Sequence, residues 1–353
     1  MNKKKEITIY DIAKKLNFSP STISRALNDH HSISDKTIKL IKATSQTMGY
    51  RPNTIAASLR NNKSKTLGIM IPRINRPFTA SLISGVEATA RQAGFNVIIT
   101  QSNDSYENEV NNAKALYDSR IMGLVVSLAM ETKDLSHFQQ FIDQGTPIAF
   151  VDRIPKGLDA YYVIIDNYMA GYNATTHLIE QGCTRIAHFA GAQHRNIYNE
   201  RRKGYEDALR AHDITVDPEL ILEFSTLSSS EGKKATKKLM KLVNPPDGIF
   251  SANDTAAVSA ILYAKRHGVR VPEDLAVVGF NDDPIASIVD PALSTITHPA
   301  QKMGKIATQL VLDHSDKKQD IDLTDIKMLR TELKIRASSL RKKISATSVI
   351  LEG

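Results

Sequence analysis

The 353 residues carry 46 Lys and Arg against 38 Asp and Glu, a net charge of +8, with 41% apolar and 24% charged residues. That balance suits a soluble globular chain of more than one domain. No run nears the roughly 18 apolar residues of a membrane span. The lysine-rich start lacks the apolar stretch of a signal peptide, and the single Cys183 excludes an internal disulfide or a cysteine-cluster metal site. A cytoplasmic protein without metal or cofactor is expected.

The charge is unevenly spread. Thirteen basic and four acidic residues fall in residues 1–66, an excess of +9, and the remainder carries −1. A basic module joined to a neutral body is the electrostatic footprint of a nucleic-acid binder. Within it, TIYDIAKKL (8–16) predicts a short helix: Thr8 caps it with Asp11 three positions on, and Ile9, Ile12, Ala13 and Leu16 share one face. Ser19 is an N-cap and Pro20 takes the first helical position of a second helix, about 20–28. That helix buries Ile23, Ala26 and Leu27 and turns Ser21, Thr22, Ser24 and Arg25 outward. Two short helices across a tight turn predict a helix-turn-helix. A third helix begins at Ser34 and stops at Gly49. His30 and His31 are read as a solvated turn.

The string ITIYDIAKKLNFSPSTISRALND, followed by GYRPNTIAASLRNNKSKTLGIMIP, resembles the head and hinge of the lactose-repressor family over about 60 residues. The resemblance implies that the second helix enters the DNA major groove with Pro20, Ser21 and Arg25 facing base edges. Arg25 is the strongest candidate reader, because a guanidinium fork bonds guanine O6 and N7 together. Thr22 and Ser24 suit phosphates, which set register, and Thr8 is grouped with these DNA-facing residues. Residues 53–60, NTIAASLR, read as a short helix with Asn53 as N-cap. The family's similar segment folds on DNA and pairs across a dimer axis in the minor groove. The match implies that Leu59 wedges between base pairs, with Ala56 allowing close approach and Arg60 at the helix end.

From Lys65 the texture becomes alternating. Apolar runs at 67–71, 96–100, 123–127, 147–151, 185–191, 220–224, 248–254 and 275–282 read as buried parallel strands, with amphipathic helices such as 80–94, 201–212 and 255–268 between them. Two such series predict an α/β body of two doubly wound lobes behind a small all-α head, with ligands bound beyond the strand carboxyl ends. Those ends are polar: Ser102-Asn103, Asp152-Arg153, Asn253-Asp254 and Asn281-Asp282-Asp283.

The body is similar to the same family's sensor domain, itself like periplasmic sugar-binding proteins. That implies three crossings between lobes, placed near 162–166, 290–296 and 323–328. The expected domains are a head at 1–51, a hinge and linker at 52–65, an N-lobe at 66–164 and 295–325, a C-lobe at 165–294 and 326–342, and a tail at 343–353. By the same match Phe78 stacks on the effector, Arg201 clamps it and Asn253 bonds it. Asp152, Asp166, Arg195 and Asn281 complete the expected effector set, although many relatives carry Asp where Asn281 stands. The tail has no leucine heptads, so a homodimer is expected rather than a tetramer.

No phosphate-loop, dinucleotide, zinc-protease or nucleophile-elbow motif occurs, which argues against an enzyme. The basic head excludes a periplasmic receptor. The expected function is a DNA-binding regulator, a repressor acting on a pseudo-palindromic double-stranded operator and controlled by a small polar effector of carbohydrate type. The alternative is a global regulator whose body binds a partner protein instead.

Overall fold

The computed structural model describes residues 7–50, 64–316 and 326–341. Their chain separates into two units, one ending at Ser64 and one beginning at Lys65.

The head holds α1 (Ile9–Leu16), α2 (Pro20–Leu27) and α3 (Asp35–Met48). The Thr8 backbone N–H and hydroxyl both donate to the Asp11 carboxylate, at 2.8 and 2.6 Å. Asn17 ends α1 in the left-handed region at φ 54°. There a short amide side chain is better tolerated than a branched one. Ser19 then accepts from the Thr22 N–H at 3.1 Å to open α2. Ile12, Ala13, Ile23, Ala26 and Ile41 form the core, one small apolar stripe from each helix.

The body holds two six-stranded sheets. The first contains β1 (Thr66–Ile71), β2 (Asn96–Gln101), β3 (Gly123–Val126), β4 (Ile148–Val151), β5 (Tyr161–Ile165) and β11 (Ile326–Leu329), in the order β11-β5-β4-β3-β1-β2. The second contains β6 (Ile186–Ala190), β7 (Ile221–Glu223), β8 (Gly248–Ser251), β9 (Ala276–Asn281), β10 (Ser294–Thr297) and β12 (Leu333–Lys334), in the order β12-β10-β9-β8-β6-β7. All pairings are parallel except β10 with β12. The expected α/β fold is present. The eight apolar runs read from sequence form the strands β1–β4 and β6–β9, with boundaries moved by one to three residues.

The helices of the first lobe are α4 (Pro77–Gln92), α5 (Tyr106–Asp118), α6 (Ser136–Asp143) and α12 (Ala300–Asp316); those of the second are α7 (Asn167–Glu180), α8 (Asn196–Ala211), α9 (Ser229–Leu239), α10 (Asp254–Arg266) and α11 (Ile285–Ile288). Each lobe contains a helix pair whose backbones nearly touch. A Cβ on Gly85 of α4 would lie 2.1 Å from the Gln301 carbonyl oxygen, and one on Gly204 of α8 would lie 2.1 Å from that of Tyr168. The second contact holds α7 against α8 and so fixes the helix that carries Arg201.

Two of the three crossings depart from expectation. The chain leaves the first lobe after β5, returns after β10 and leaves again after β11. Residues 295–297, expected in the N-lobe, lie in β10 and pair with β9; residues 326–329, expected in the C-lobe, pair with β5. The cause is the polarity of these strands. Ser294 and Thr295 are buried without being apolar, because the Ser294 hydroxyl donates to the Arg336 carbonyl at 2.9 Å and that of Thr295 to Asp254 Oδ1 at 2.7 Å. β11 is an edge strand with only Leu329 buried. Neither presents an apolar run.

Candidate functional site

Two sites emerge, one in each unit. On the head, Pro20, Ser21 and Arg25 are exposed along α2, while Thr22 and Ser24 are half-buried. The cap organises this face. The Ser19 hydroxyl lies 2.8 Å from those of both Ser21 and Thr22, which leaves these short groups tied to the helix start. The Arg25 side chain makes no hydrogen bond or ion pair among the described residues. Thr8 is exposed and engaged by Asp11. Tyr10, 69% exposed on α1, was not singled out from sequence, because an aromatic off the apolar face carries no motif. Asn53, Ala56, Leu59 and Arg60, with the hinge and the tail, lie outside the described residues.

In the body, the strand carboxyl ends of both sheets converge on a cleft of about 860 Å³, counting its open mouth. Phe78, Asp152, Arg201, Asn253 and Asn281 line it. Asp166 and Arg195 do not. Asp166 caps α7, accepting from the Met169 N–H at 2.8 Å. Arg195 precedes α8 in the second lobe and reaches into the first, donating to the carbonyl oxygens of Met130 and Thr132, each at 2.8 Å. His194 adds a contact to the same Met130 carbonyl at 2.8 Å. Both residues occupy positions where a polar backbone end needs a partner, a demand as local as that of a ligand.

Arg201 forms the floor. Its Nε donates to Asn167 Oδ1 and its Nη1 to the Ala252 carbonyl, both at 2.9 Å, and its guanidinium lies 3.4 Å from the centroid of the Phe280 ring. Burial lowers its pKa to about 10, so it remains cationic at neutral pH. Asn253 is partly committed: Oδ1 caps α10 at the Ala256 N–H, and Nδ2 donates to the Leu227 carbonyl, each at 2.9 Å. One amide proton is left for a ligand.

Deepest in the cleft are two polar atoms without partners. Asp152, at φ 64°, is buried, and its Oδ1 accepts nothing. Burial pushes this carboxyl above its usual range against the opposing charges of Arg201 and Arg153. Across from it, His298 donates from Nδ1 to Asn281 Oδ1 at 3.2 Å, and its Nε2 is unpartnered at 3.6 Å from Asp152 Oδ1. Burial, reinforced by Arg201, holds this imidazole well below its usual pKa and so neutral. Phe78 packs against His298 with ring centroids 4.2 Å apart and planes tilted by 35°.

The mouth adds further charged groups, of which Arg73, Arg76 and Asp104 are absent from the strand ends read in the sequence. Arg73 and Arg153 both bond Asp104, at 2.8 and 2.6 Å. Although burial opposes it, Arg153 and then Arg73 hold the Asp104 carboxyl below its usual pKa. Burial raises Asp283 to about 6, and it raises Asp254, fully buried behind the lining, to about 7. The signal for Arg73 and Arg76 was available, since both follow the carboxyl end of β1 directly. That for His298 was not, since it follows the polar β10.

Residues 8–53 match the family described as bacterial regulatory proteins, lacI family, and residues 175–339 match the periplasmic binding protein-like domain. The HTH-type transcriptional regulator DegA of Bacillus subtilis is 31% identical over 298 residues, covering 84% of this chain and 88% of that protein. The HTH-type transcriptional repressor CytR of Escherichia coli K12 is 31% identical over 306 residues, covering 87% and 89%. This chain belongs to the lacI family. Among solved structures, a transcriptional regulator CelR–cellobiose complex aligns with a TM-score of 0.70 at 26% identity, over 94% of this chain and 100% of that one. The lac repressor dimer bound to operator and the anti-inducer ONPF aligns with a TM-score of 0.84 at 22% identity, over 95% and 100%, and shares the fold. The lacI-family relatives are transcriptional regulators rather than enzymes, and this chain is a DNA-binding regulator of the same family. Among the described residues, no helix is long and apolar enough to cross a membrane.

Proposed function

We propose that this lacI-family regulator is a cytoplasmic repressor: as a homodimer it binds a pseudo-palindromic operator, and a small hydroxylated effector of carbohydrate type binds between its lobes. The observation that carries the effector half is the facing pair of unpartnered buried atoms, Asp152 Oδ1 and His298 Nε2. A buried polar atom without a partner costs roughly 1–3 kcal/mol, which a ligand hydroxyl recovers by donating to it. A partner protein would meet the surface and leave both atoms unsatisfied. The relative solved with cellobiose, and another solved with D-xylulofuranose, support the carbohydrate class.

On the DNA side, Arg25 reads a base edge, Pro20 and Ser21 pack beside it, and Thr22, Ser24 and Thr8 meet the backbone. Asn53, Ala56, Leu59 and Arg60 serve in the hinge. Effector binding alters lobe closure, working against or with the Arg195–Met130 bridge, and the N-lobes pass that change to the heads. The coupling is reciprocal: an effector that weakens operator binding is itself held more weakly by the operator complex.

The test is selection of genomic fragments by the purified full chain at two salt concentrations, with the retained DNA sequenced. Phosphate-only binding falls steeply with salt, whereas specific sites persist. The expected outcome is a salt-resistant set sharing one palindrome, weakened or strengthened by a sugar that also raises the melting temperature of the protein. Loss of all enrichment at the higher salt would refute operator reading.

A further inference from the structure

The cleft has two chemically distinct ends. Four guanidiniums (Arg73, Arg76, Arg153 and Arg201) and three carboxylates (Asp104, Asp152 and Asp283) line it, so one positive charge is in surplus when all are ionised. The net charge lies with Arg73 and Arg153, two guanidiniums on one carboxylate, but free bonding capacity lies elsewhere. Arg73 and Arg153 are spent on Asp104, which both bond. Arg201 is spent on Asn167 and Ala252 through two of its three nitrogens. Arg76 alone among these four makes no side-chain hydrogen bond or ion pair with a described residue; the Asp283 carboxyl senses its charge from across the cleft.

Arg76 is also the N-cap of the 16-residue helix α4, and its side chain has no acceptor to offer the first-turn N–H groups. Phe78 and Thr79, in that first turn, line the cleft. The positive end of a helix dipole and a guanidinium therefore coincide at the half-buried mouth. The interior is different. There Asp152 Oδ1 and His298 Nε2 offer two lone pairs 3.6 Å apart, beside the Phe78 ring. One end calls for hydroxyl donors and the other for an anion.

We propose that the effector is a sugar acid of the hexuronate or hexonate class, its hydroxyls donating to Asp152 and His298 and its carboxylate bonded by Arg76 and the uncapped start of α4. This rests on the reading of the cleft as an effector site. A cleft lining of net charge +1 with one unbonded guanidinium matches a monoanionic carboxylate rather than a phosphate dianion. A guanidinium fork also meets a carboxylate through two parallel hydrogen bonds. Asp283 is the competitor, since it faces Arg76 when no ligand is present.

The experiment compares the full chain with Arg76→Gln and Asp283→Asn. Melting shifts are read first across matched compounds: D-glucose, D-glucuronate and D-gluconate; D-galactose, D-galacturonate and D-galactonate; and D-glucose 6-phosphate. Calorimetric titration of those that shift follows. The expected result is an acid that stabilises the protein while its neutral parent does so at least tenfold more weakly. Arg76→Gln should weaken the acid about tenfold or more and leave the neutral parent unchanged. Asp283→Asn should strengthen the acid, and a single cooperative melting transition in each unliganded variant shows that the body folds. A neutral sugar or the phosphate binding better than every acid, or an acid indifferent to Arg76→Gln, overturns the charge assignment and leaves the effector cleft standing. If no compound of any charge stabilises the protein, the sugar-acid proposal falls, and the carbohydrate reading of the cleft falls with it.

Discussion

The proposed reading face of α2 and the proposed effector cleft between the lobes are opposite solutions to recognition. The face is contiguous, with Pro20 to Arg25 on eight residues of helix, exposed, and built by one cap and three small helices. The cleft draws on Arg76 at one end of the numbering and His298 at the other, and its key atoms are buried. An exposed cation in water costs little to hold and works by complementing phosphates and base edges. A buried one requires the fold to supply its solvation, as Asn167 and Ala252 do for Arg201. The head should therefore tolerate loss of its functional arginine, and the cleft should not.

The largest expected effect tests that difference. Arg201→Leu leaves the Asn167 amide oxygen and the Ala252 carbonyl without their donor and removes the cation from the face of Phe280. Buried groups orphaned in this way cost roughly 1–3 kcal/mol each, so the body should lose about 2–5 kcal/mol in urea unfolding, along with its effector response. A loss under about 1 kcal/mol would mean that the fold does not depend on this arginine, and that its burial serves the ligand alone.

Arg25→Ala is the counterpart on the head. With no bond to lose within the head, it should leave stability within about 0.5 kcal/mol of the parent. Operator affinity should fall by roughly 1–3 kcal/mol, about fivefold to 150-fold, and preference at one base position should relax. Competition binding at fixed salt on the selected operator and its single-base variants measures both. A uniform weakening across all sequences would reassign Arg25 to a phosphate.

What was legible in the sequence follows the same divide. Thr8, Ser19 and Pro20 announce α1 and α2 because caps act over three residues, and Ile12, Ala13, Ile23 and Ala26 follow from periodicity. In the body, the strand-end rule reached Asp152, Asn253 and Asn281, and family resemblance reached Phe78 and Arg201. Neither reached His298, because β10 hides its burial behind Ser294 and Thr295, whose partners Arg336 and Asp254 are 42 and 41 residues away. Asp166 and Arg195 were placed in the cleft since they sit at the right ends of the right elements. The helix N–H that claims Asp166 is only three residues away, whereas the two carbonyls that claim Arg195 lie 65 and 63 residues away, beyond any local pattern.

The smallest effect concerns the acid beside the cleft. Asp254 is fully buried, accepts from the Thr295 hydroxyl and the Asp283 N–H, and is raised by burial to about 7 from an ordinary 3.8. Between those two values the folded chain keeps a proton that the unfolded chain releases. This contribution is thus complete at low pH and lost as pH rises from about 4 to 7, at close to 1.4 kcal/mol per pH unit. The buried His177, His188 and His298, held below their usual pKa by burial, pull the other way below about pH 6.5, and Asp283 adds to the Asp254 trend up to about 6. The parent's pH profile therefore mixes signs, and the informative quantity is the difference between the parent and Asp254→Asn. Unfolding free energies measured at pH 6 and pH 7 should show the parent losing about 1 kcal/mol relative to the variant over that unit. A constant offset between parent and variant would mean that Asp254 is ionised throughout, with its two hydrogen bonds outweighing the cost of its burial.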